Sequence, residues 1–230
     1  MFNVCPQCGQ YSDEKSIDPA GPFAICPYCG YRHRFVQAPL FVLTGASGSG
    51  KTTIGRELIA KMSECVVMES DILWRSEFAT PEDNYRAYRN LWLRVAKNIS
   101  QAGRPVVLCG SAIPEQFETC PERRYFTEIH YLAVVCDADV LTARLQSRPA
   151  WRKASEIEFI RRMVDFNRWF VENAHTTHPP ITLLDNTALA LEASVESVAR
   201  WIYSRLNGSV AFDRRLATGD SHAAQIQPVD

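Results

Sequence analysis

From Leu40 onward, short runs of apolar residues alternate with longer stretches in which apolar positions recur at helical spacing. The runs are Leu40-Phe41-Val42-Leu43-Thr44 and those that begin at Val66, Val106, Tyr131 and Ile181. Such short apolar runs suit strands covered on both faces, because a half-exposed strand would alternate. The stretches 51–63, 85–102, 138–147, 155–172 and 195–206 predict helices. Strand–helix alternation predicts an α/β fold, a five-stranded parallel sheet between two layers of helices. Residues 1–37 differ, being rich in turn formers and too short to bury a core alone. The main domain is expected over 38–207, and 208–230, which loses periodicity, is expected to be a disordered tail.

Composition narrows the classes. With 230 residues, 46% hydrophobic and 22% charged, the chain suffices for one substantial domain and a small appendage. A formal net charge of −1 gives no broad field for nucleic acid or an anionic membrane and leaves only local patches. The opening lacks the charged and apolar regions of a secretory signal, and no run approaches ~18 apolar residues, so a cytoplasmic protein without a membrane partner is expected. Of eight cysteines, four form two C-x-x-C pairs, while Cys65, Cys109, Cys120 and Cys136 are scattered and read as small buried hydrophobes. This is not the pattern of a secreted disulfide framework.

The strongest motif is Gly45-Ala46-Ser47-Gly48-Ser49-Gly50-Lys51-Thr52, a G-x-x-x-x-G-K-[ST] Walker A sequence, followed by Thr53. It follows an expected strand and opens an expected helix, the context this phosphate-binding loop needs. Glycines let backbone N–H groups turn inward around an anion, and the helix N-terminus adds positive potential. Lys51 is expected on the β and γ phosphates of a nucleoside triphosphate, and Thr52, ahead of Thr53, on magnesium.

The second strand ends in Glu69-Ser70-Asp71. In an extended segment, carboxylates spaced i, i+2 point to the same side. Glu69 is therefore the candidate magnesium-side group, and Asp71 the base that takes a proton from an attacking hydroxyl. The plainer alternative makes Asp71 a helix cap. Further on, Arg144, Arg148 and Arg152 recur every four residues at a helix end. They are candidates to clamp phosphates and neutralise transition-state charge, the alternative being a solvated basic face.

Together these residues resemble the P-loop kinase superfamily of small phosphotransferases over roughly 40–206. The likeness rests on GASGSGKT, on the E-S-D strand end in place of D-x-D, on the arginine-bearing LTARLQSR segment that looks like a mobile lid, and on Leu184-Asp185-Asn186-Thr187. It implies a P-loop NTPase fold with ATP and Mg²⁺, and places Asp185, Asn186 and Thr187 against the nucleotide base; an Asx turn is the alternative there. Two departures stand out: Glu69 replaces the usual Asp, and the third strand ends Cys109-Gly110-Ser111 without a Walker B carboxylate. Gly110 and Ser111 then become candidates to line the acceptor site. The stretch 74–98 falls at the acceptor lid, with Arg75, Tyr88 and Arg89 as candidates to hold a ring or phosphate. A core-facing helix accounts for Tyr85, Tyr88, Trp92 and Val95 equally well.

At the N-terminus, Cys5-Pro6-Gln7-Cys8-Gly9 and Cys26-Pro27-Tyr28-Cys29-Gly30 form two knuckles separated by seventeen residues. Such turns aim four thiolates at one tetrahedral ion, so Cys5, Cys8, Cys26 and Cys29 are expected to hold a structural zinc in a zinc ribbon. Tyr31, Arg32, His33 and Arg34 beside the second knuckle offer a contact for nucleic acid or a protein partner; simple bracing is the alternative. The leading expectation is an ATP- and Mg²⁺-dependent kinase of a small molecule, most readily a nucleoside or nucleotide. A polynucleotide 5′-hydroxyl kinase, from Ser70, Asp71 and Arg75 with the ribbon, and a nucleic-acid-binding ATPase switch are the alternatives.

Overall fold

The computed structural model describes residues 2–149 and 156–208, with backbone alone at 207 and 208. Arg152 and the expected tail from 209 onward lie outside the described residues. Five strands, β4 (Leu40–Thr44), β5 (Val66–Glu69), β6 (Val106–Cys109), β7 (Ile129–Val135) and β8 (Ile181–Asp185), form one sheet in the order β5-β6-β4-β7-β8, every pair parallel. The helices are α1 (Lys51–Lys61), α2 (Arg86–Ser100), α3 (Glu115–Glu118), α4 (Ala138–Gln146), α5 (Ile157–Asn173) and α6 (Leu191–Gly208).

The apolar runs of β4, β6 and β7 are explained by the two faces of this sheet, whereas the edge strands β5 and β8 are only partly covered, Leu183 being 39% exposed. Leu40, Val42, Val106, Leu108, Tyr131 and Ala133 pack on one side with Trp92 of α2 and Phe170 of α5. Their neighbours Phe41, Leu43, Val107, Leu132 and Val134 pack on the other with Ile54 and Leu58 of α1 and Ile202 of α6. Each Val, Leu, Ile or Phe among them contributes about 1.5–3 kcal/mol through burial, which fixes the strand register.

Element ends differ from the pattern for local reasons. Helix α2 starts at Arg86 rather than Tyr85, because Asn84 and Tyr85 both take left-handed backbone conformations, φ 59° and 58°. The Asp83 carboxylate holds that turn by accepting from Thr80 Oγ1 and Arg86 N. Strand β7 begins two residues before the run at Tyr131, since His130 is accommodated by stacking on Phe41 at 5.3 Å between ring centroids. Helix α6 starts at Leu191, four residues before Val195.

Residues before Leu40 form β1 (Ser16–Asp18), β2 (Phe23–Ile25) and β3 (Arg32–Arg34), an antiparallel sheet that the turn-rich composition did not announce. Its small core of Phe2, Ala24 and Phe35 is completed by Tyr125 of the main domain. The seam runs along α2. Lys97 is paired with Glu122 at 2.7 Å, both side chains at most 1% exposed, and its ammonium lies 4.6 Å from the Phe2 ring centroid and 4.3 Å from that of Tyr125. Arg94 bridges Glu122 and Asp13 of the ribbon, and the Gln101 amide bonds both backbone groups of Val36. Among the described residues, no helix is long and apolar enough to cross a membrane.

Candidate active site

A cleft of about 1170 Å³ opens at the carboxyl end of the sheet, the position where open α/β sheets receive ligands. Its floor is the loop between β4 and α1. Gly45 leaves β4 at φ 137°, and a Cβ there would lie 2.4 Å from the Val134 carbonyl oxygen, so the turn requires glycine. Helix α1 has no side-chain cap at its N-terminus, which leaves its first N–H groups open toward the cleft. Ser47, Gly48, Gly50, Lys51, Thr52 and Thr53 line the cleft, whereas Gly45, Ala46 and Ser49 lie buried behind it. The Ser49 hydroxyl is buried there with no hydrogen-bond partner among the described residues.

Lys51 folds back on its loop, Nζ donating to the carbonyls of Gly45 and Ala46 at 2.8 Å each. Burial pushes its pKa down to about 8; Cys109, Asp71 and Glu69 pull it up and Arg148 pushes it lower. An anion beside it would stabilise the charged form.

Glu69 ends β5 and accepts a hydrogen bond from Thr52 Oγ1 at 2.5 Å. The extended geometry expected to carry Asp71 onto the same side does not continue, because Ser70–Leu73 forms a 3₁₀ turn. Both carboxylates nevertheless line the cleft. The turn is held by α2: the Ser70 carbonyl accepts from Tyr88 Oη at 2.6 Å and from Trp92 Nε1 at 3.0 Å. Gly110 makes room for it, since a Cβ there would meet Ser70 Oγ at 2.0 Å. Tyr88 and Trp92 thus serve the core and fix the Asp71 turn at once.

Arg144 and Arg148 both reach the cleft, although Arg148 lies past the end of α4 and not on its helical face. Arg144 Nη1 donates to Asn186 Oδ1 at 3.0 Å, and Asn186 Nδ2 donates to the Ser49 carbonyl at 2.8 Å, so α4, the loop after β8 and the phosphate loop are joined. Asn186 lines the cleft; Asp185 and Thr187 do not. The Asp185 carboxylate accepts from Thr187 N and Oγ1 at 2.8 and 2.6 Å, the Asx turn that was the alternative to a contact with the nucleotide base.

Arg75 is a correction. It is exposed at the start of a short 3₁₀ turn and lies outside the cleft lining. Tyr88, Arg89, Gly110 and Ser111 do line it, with Trp74 and Tyr85. The sequence reading missed Ile113 and Gln116 ahead of and within α3, Phe159 and Phe166 of α5, and Leu189 and Leu191 before and at the start of α6. Leu189 and Leu191 remain 42% and 37% exposed. Their only sequence signal was apolarity beside a predicted loop.

About the N-terminal knuckles, the Sγ atoms of Cys5, Cys8, Cys26 and Cys29 all lie within 4.8 Å of one another. Cys5–Cys29 and Cys8–Cys26 are separated by 3.7 and 3.8 Å. Four sulfurs at roughly 2.3 Å from one tetrahedral ion stand about 3.8 Å apart, so the set is compatible with zinc. The two knuckles have matching turns, Gly9 N to Cys5 O at 2.9 Å and Gly30 N to Cys26 O at 3.0 Å. Burial raises the Cys5 thiol, but N–H groups of Cys8 and Gln7 and the neighbouring thiols outweigh it and bring it down to about 6.

Comparison with known proteins places this geometry. A family model described as an AAA domain matches residues 42–162, more than half of the chain and the segment that contains the loop, both carboxylates and α4. The chain belongs to the AAA domain family. No curated protein matches this AAA domain chain by sequence. Among solved structures, an unliganded sugar kinase from Janibacter sp. HTCC2649 is similar at TM-score 0.54 and 18% identity, over 73% of this chain and 95% of that one. A protein described as APE1195 is similar at TM-score 0.52 and 19% identity, over 76% and 98%. At such identity the likeness establishes the fold alone.

Proposed function

We propose that the protein is an ATP- and Mg²⁺-dependent phosphotransferase whose acceptor is a small molecule. The observation that carries this reading is the 2.5 Å contact of Thr52 with Glu69 beside buried Lys51, with Asp71 on the same cleft wall. An open-ended helix N-terminus, a cation and a hydroxyl–carboxylate pair are the groups a Mg²⁺ triphosphate needs; Asp71 adds a carboxylate that hydrolysis-driven switches do not require at that point.

Lys51 and the loop amides would hold the β and γ phosphates. Thr52 and Glu69 would hold Mg²⁺, which when bound neutralises phosphate charge; no strand-three carboxylate is available for this. In the transfer, an acceptor hydroxyl oxygen bonds to the γ-phosphorus as the bridging oxygen departs on ADP, and the hydroxyl proton passes to the Asp71 carboxylate. Arg144 and Arg148 sit where they would counter the charge on the transferring group. The apolar walls from α5 and the start of α6 would face the nucleotide base, with Asn186 between base and loop.

The cysteine cluster would hold one structural zinc, fully coordinated and therefore not catalytic. Of Ser70, Asp71 and Arg75, on which a polynucleotide 5′-hydroxyl kinase rested together with the ribbon, Arg75 lies outside the cleft lining, which gives that alternative less support. A panel of nucleosides, nucleotides, sugars, hydroxy acids and oligonucleotides with γ-labelled ATP tests the reading. Label in a small molecule is expected; ATP hydrolysis without transfer, stimulated by RNA or DNA, would replace it with the switch.

A further inference from the structure

Arg89 is a buried cation without an anion. It is 7% exposed, and among the described residues only its Nη2 has a hydrogen-bond partner, the Ser111 carbonyl at 2.8 Å. Its Nε is buried with no partner, and no carboxylate lies within ion-pair distance among the described residues. The other buried cations are better served. Lys97 has Glu122, Lys51 has two loop carbonyls, and Lys15 has the Phe2 carbonyl.

Around Arg89 stand the rings of Tyr88, Phe117 and Tyr85, with centroids 5.2, 5.5 and 5.8 Å from the guanidinium carbon. Their faces attract a cation but do not replace the water it has lost. Burial lowers the Arg89 pKa, opposed by Tyr88, Tyr85, Cys120 and Asp71. A guanidinium nevertheless keeps its proton in proteins, so the charge persists. The residue lines the cleft on the wall that also carries Asp71.

We infer that the phosphate acceptor is itself an anion, bearing a carboxylate or phosphate that Arg89 receives while its free hydroxyl faces Asp71. This deepens the phosphotransfer reading and rests on it. It favours hydroxy acids, sugar phosphates and nucleoside monophosphates over uncharged sugars and nucleosides. A planar fork of N–H donors suits either oxyanion, and the aromatic rings exclude the water that would weaken the contact.

Matched pairs test the inference on the full-length protein with zinc and saturating Mg²⁺·AMP-PNP. The pairs are a nucleoside and its 5′-monophosphate, an aldose and its aldonate, and an aldose and its phosphate; they are followed by thermal shift, and with ATP by ADP release. Stabilisation and turnover are expected only from charged members, the aldonate and phosphate arms distinguishing the two oxyanions. Arg89→Met should weaken the productive anion by ~10-fold or more, and Arg89→Lys, which keeps charge but loses the fork, should recover part of that loss. Nucleotide affinity should stay unchanged in both.

Equal use of neutral and charged members, no response to any anion, or an Arg89→Met protein that binds the anion as wild type does would overturn the assignment. If Arg89→Met fails to fold, Arg89→Lys decides by the same criterion. Failure to bind Mg²⁺·AMP-PNP would strike the phosphotransfer reading instead. The wild-type and variant responses to the same anions would still decide on Arg89.

Discussion

The Thr52 hydroxyl donates a 2.5 Å hydrogen bond to the Glu69 carboxylate, joining the first turn of α1 to the last residue of β5. Two segments seventeen residues apart thereby meet at the mouth of the phosphate loop. The charged acceptor makes the bond a strong one.

Glu69→Gln retains an oxygen for Thr52 and removes the charge. If this pair holds Mg²⁺, the metal concentration needed for half-maximal turnover should rise by roughly tenfold or more, with free ATP binding changed little. A metal titration of wild type and variant checks this; superimposable curves would remove Glu69 from the metal site.

The ribbon and the acceptor wall share one helix. The second half of α2 carries Arg94 and Lys97 into the ribbon seam, and its first half carries Tyr88 and Arg89 into the cleft. Lys97→Met leaves Glu122 with Arg94 alone in a buried site and should lower stability in denaturant unfolding by less than the ~3–5 kcal/mol of a fully uncompensated buried charge. Chelating zinc should release Cys5, Cys8, Cys26 and Cys29, lower the unfolding temperature, and raise the acceptor KM more than the ATP KM. An equal effect on both would show that the ribbon does not position α2.

His130 supplies a pH test of the sheet itself. Burial holds its pKa below the usual histidine value, against the pull of Glu128 and with the help of Arg205 and Arg123. The unfolded chain therefore binds this proton first as pH falls. Stability should drop below about pH 6.5, the unfolded value, and level off once the folded pKa is passed. His130→Phe should flatten that part of a melting-temperature profile between pH 5 and 7.

Much of this architecture was legible because sheet burial writes itself into local sequence. Five short apolar runs matched five strands, and Gly45 to Thr52 marked the loop, since only glycine tolerates the approach to Val134 at Gly45. His130 hid the start of β7 because its apolar neighbour Phe41 is distant in the chain. The 3₁₀ turn at Asp71 was likewise illegible, as its carbonyl is held by Tyr88 and Trp92 from another helix. The cleft walls at Gln116, Phe166 and Leu191 come from three elements with no shared motif. Asp185 and Thr187 admitted two readings because an Asx turn and a ligand contact use the same residue types. The charge on Arg89 was visible; its lack of an anion was not.

Phosphoryl transfer under the control of Asp71 is the central claim, and one labelling experiment tests it most directly. Full-length wild type and Asp71→Asn are each incubated with γ-labelled ATP, Mg²⁺ and a protein-free extract of small metabolites, and the label is followed by chromatography. The account predicts a new labelled small molecule with wild type and a rate lower by ~10²–10⁴-fold with the variant, ATP affinity being kept. Release of inorganic phosphate alone, at the same rate in both proteins, would contradict it.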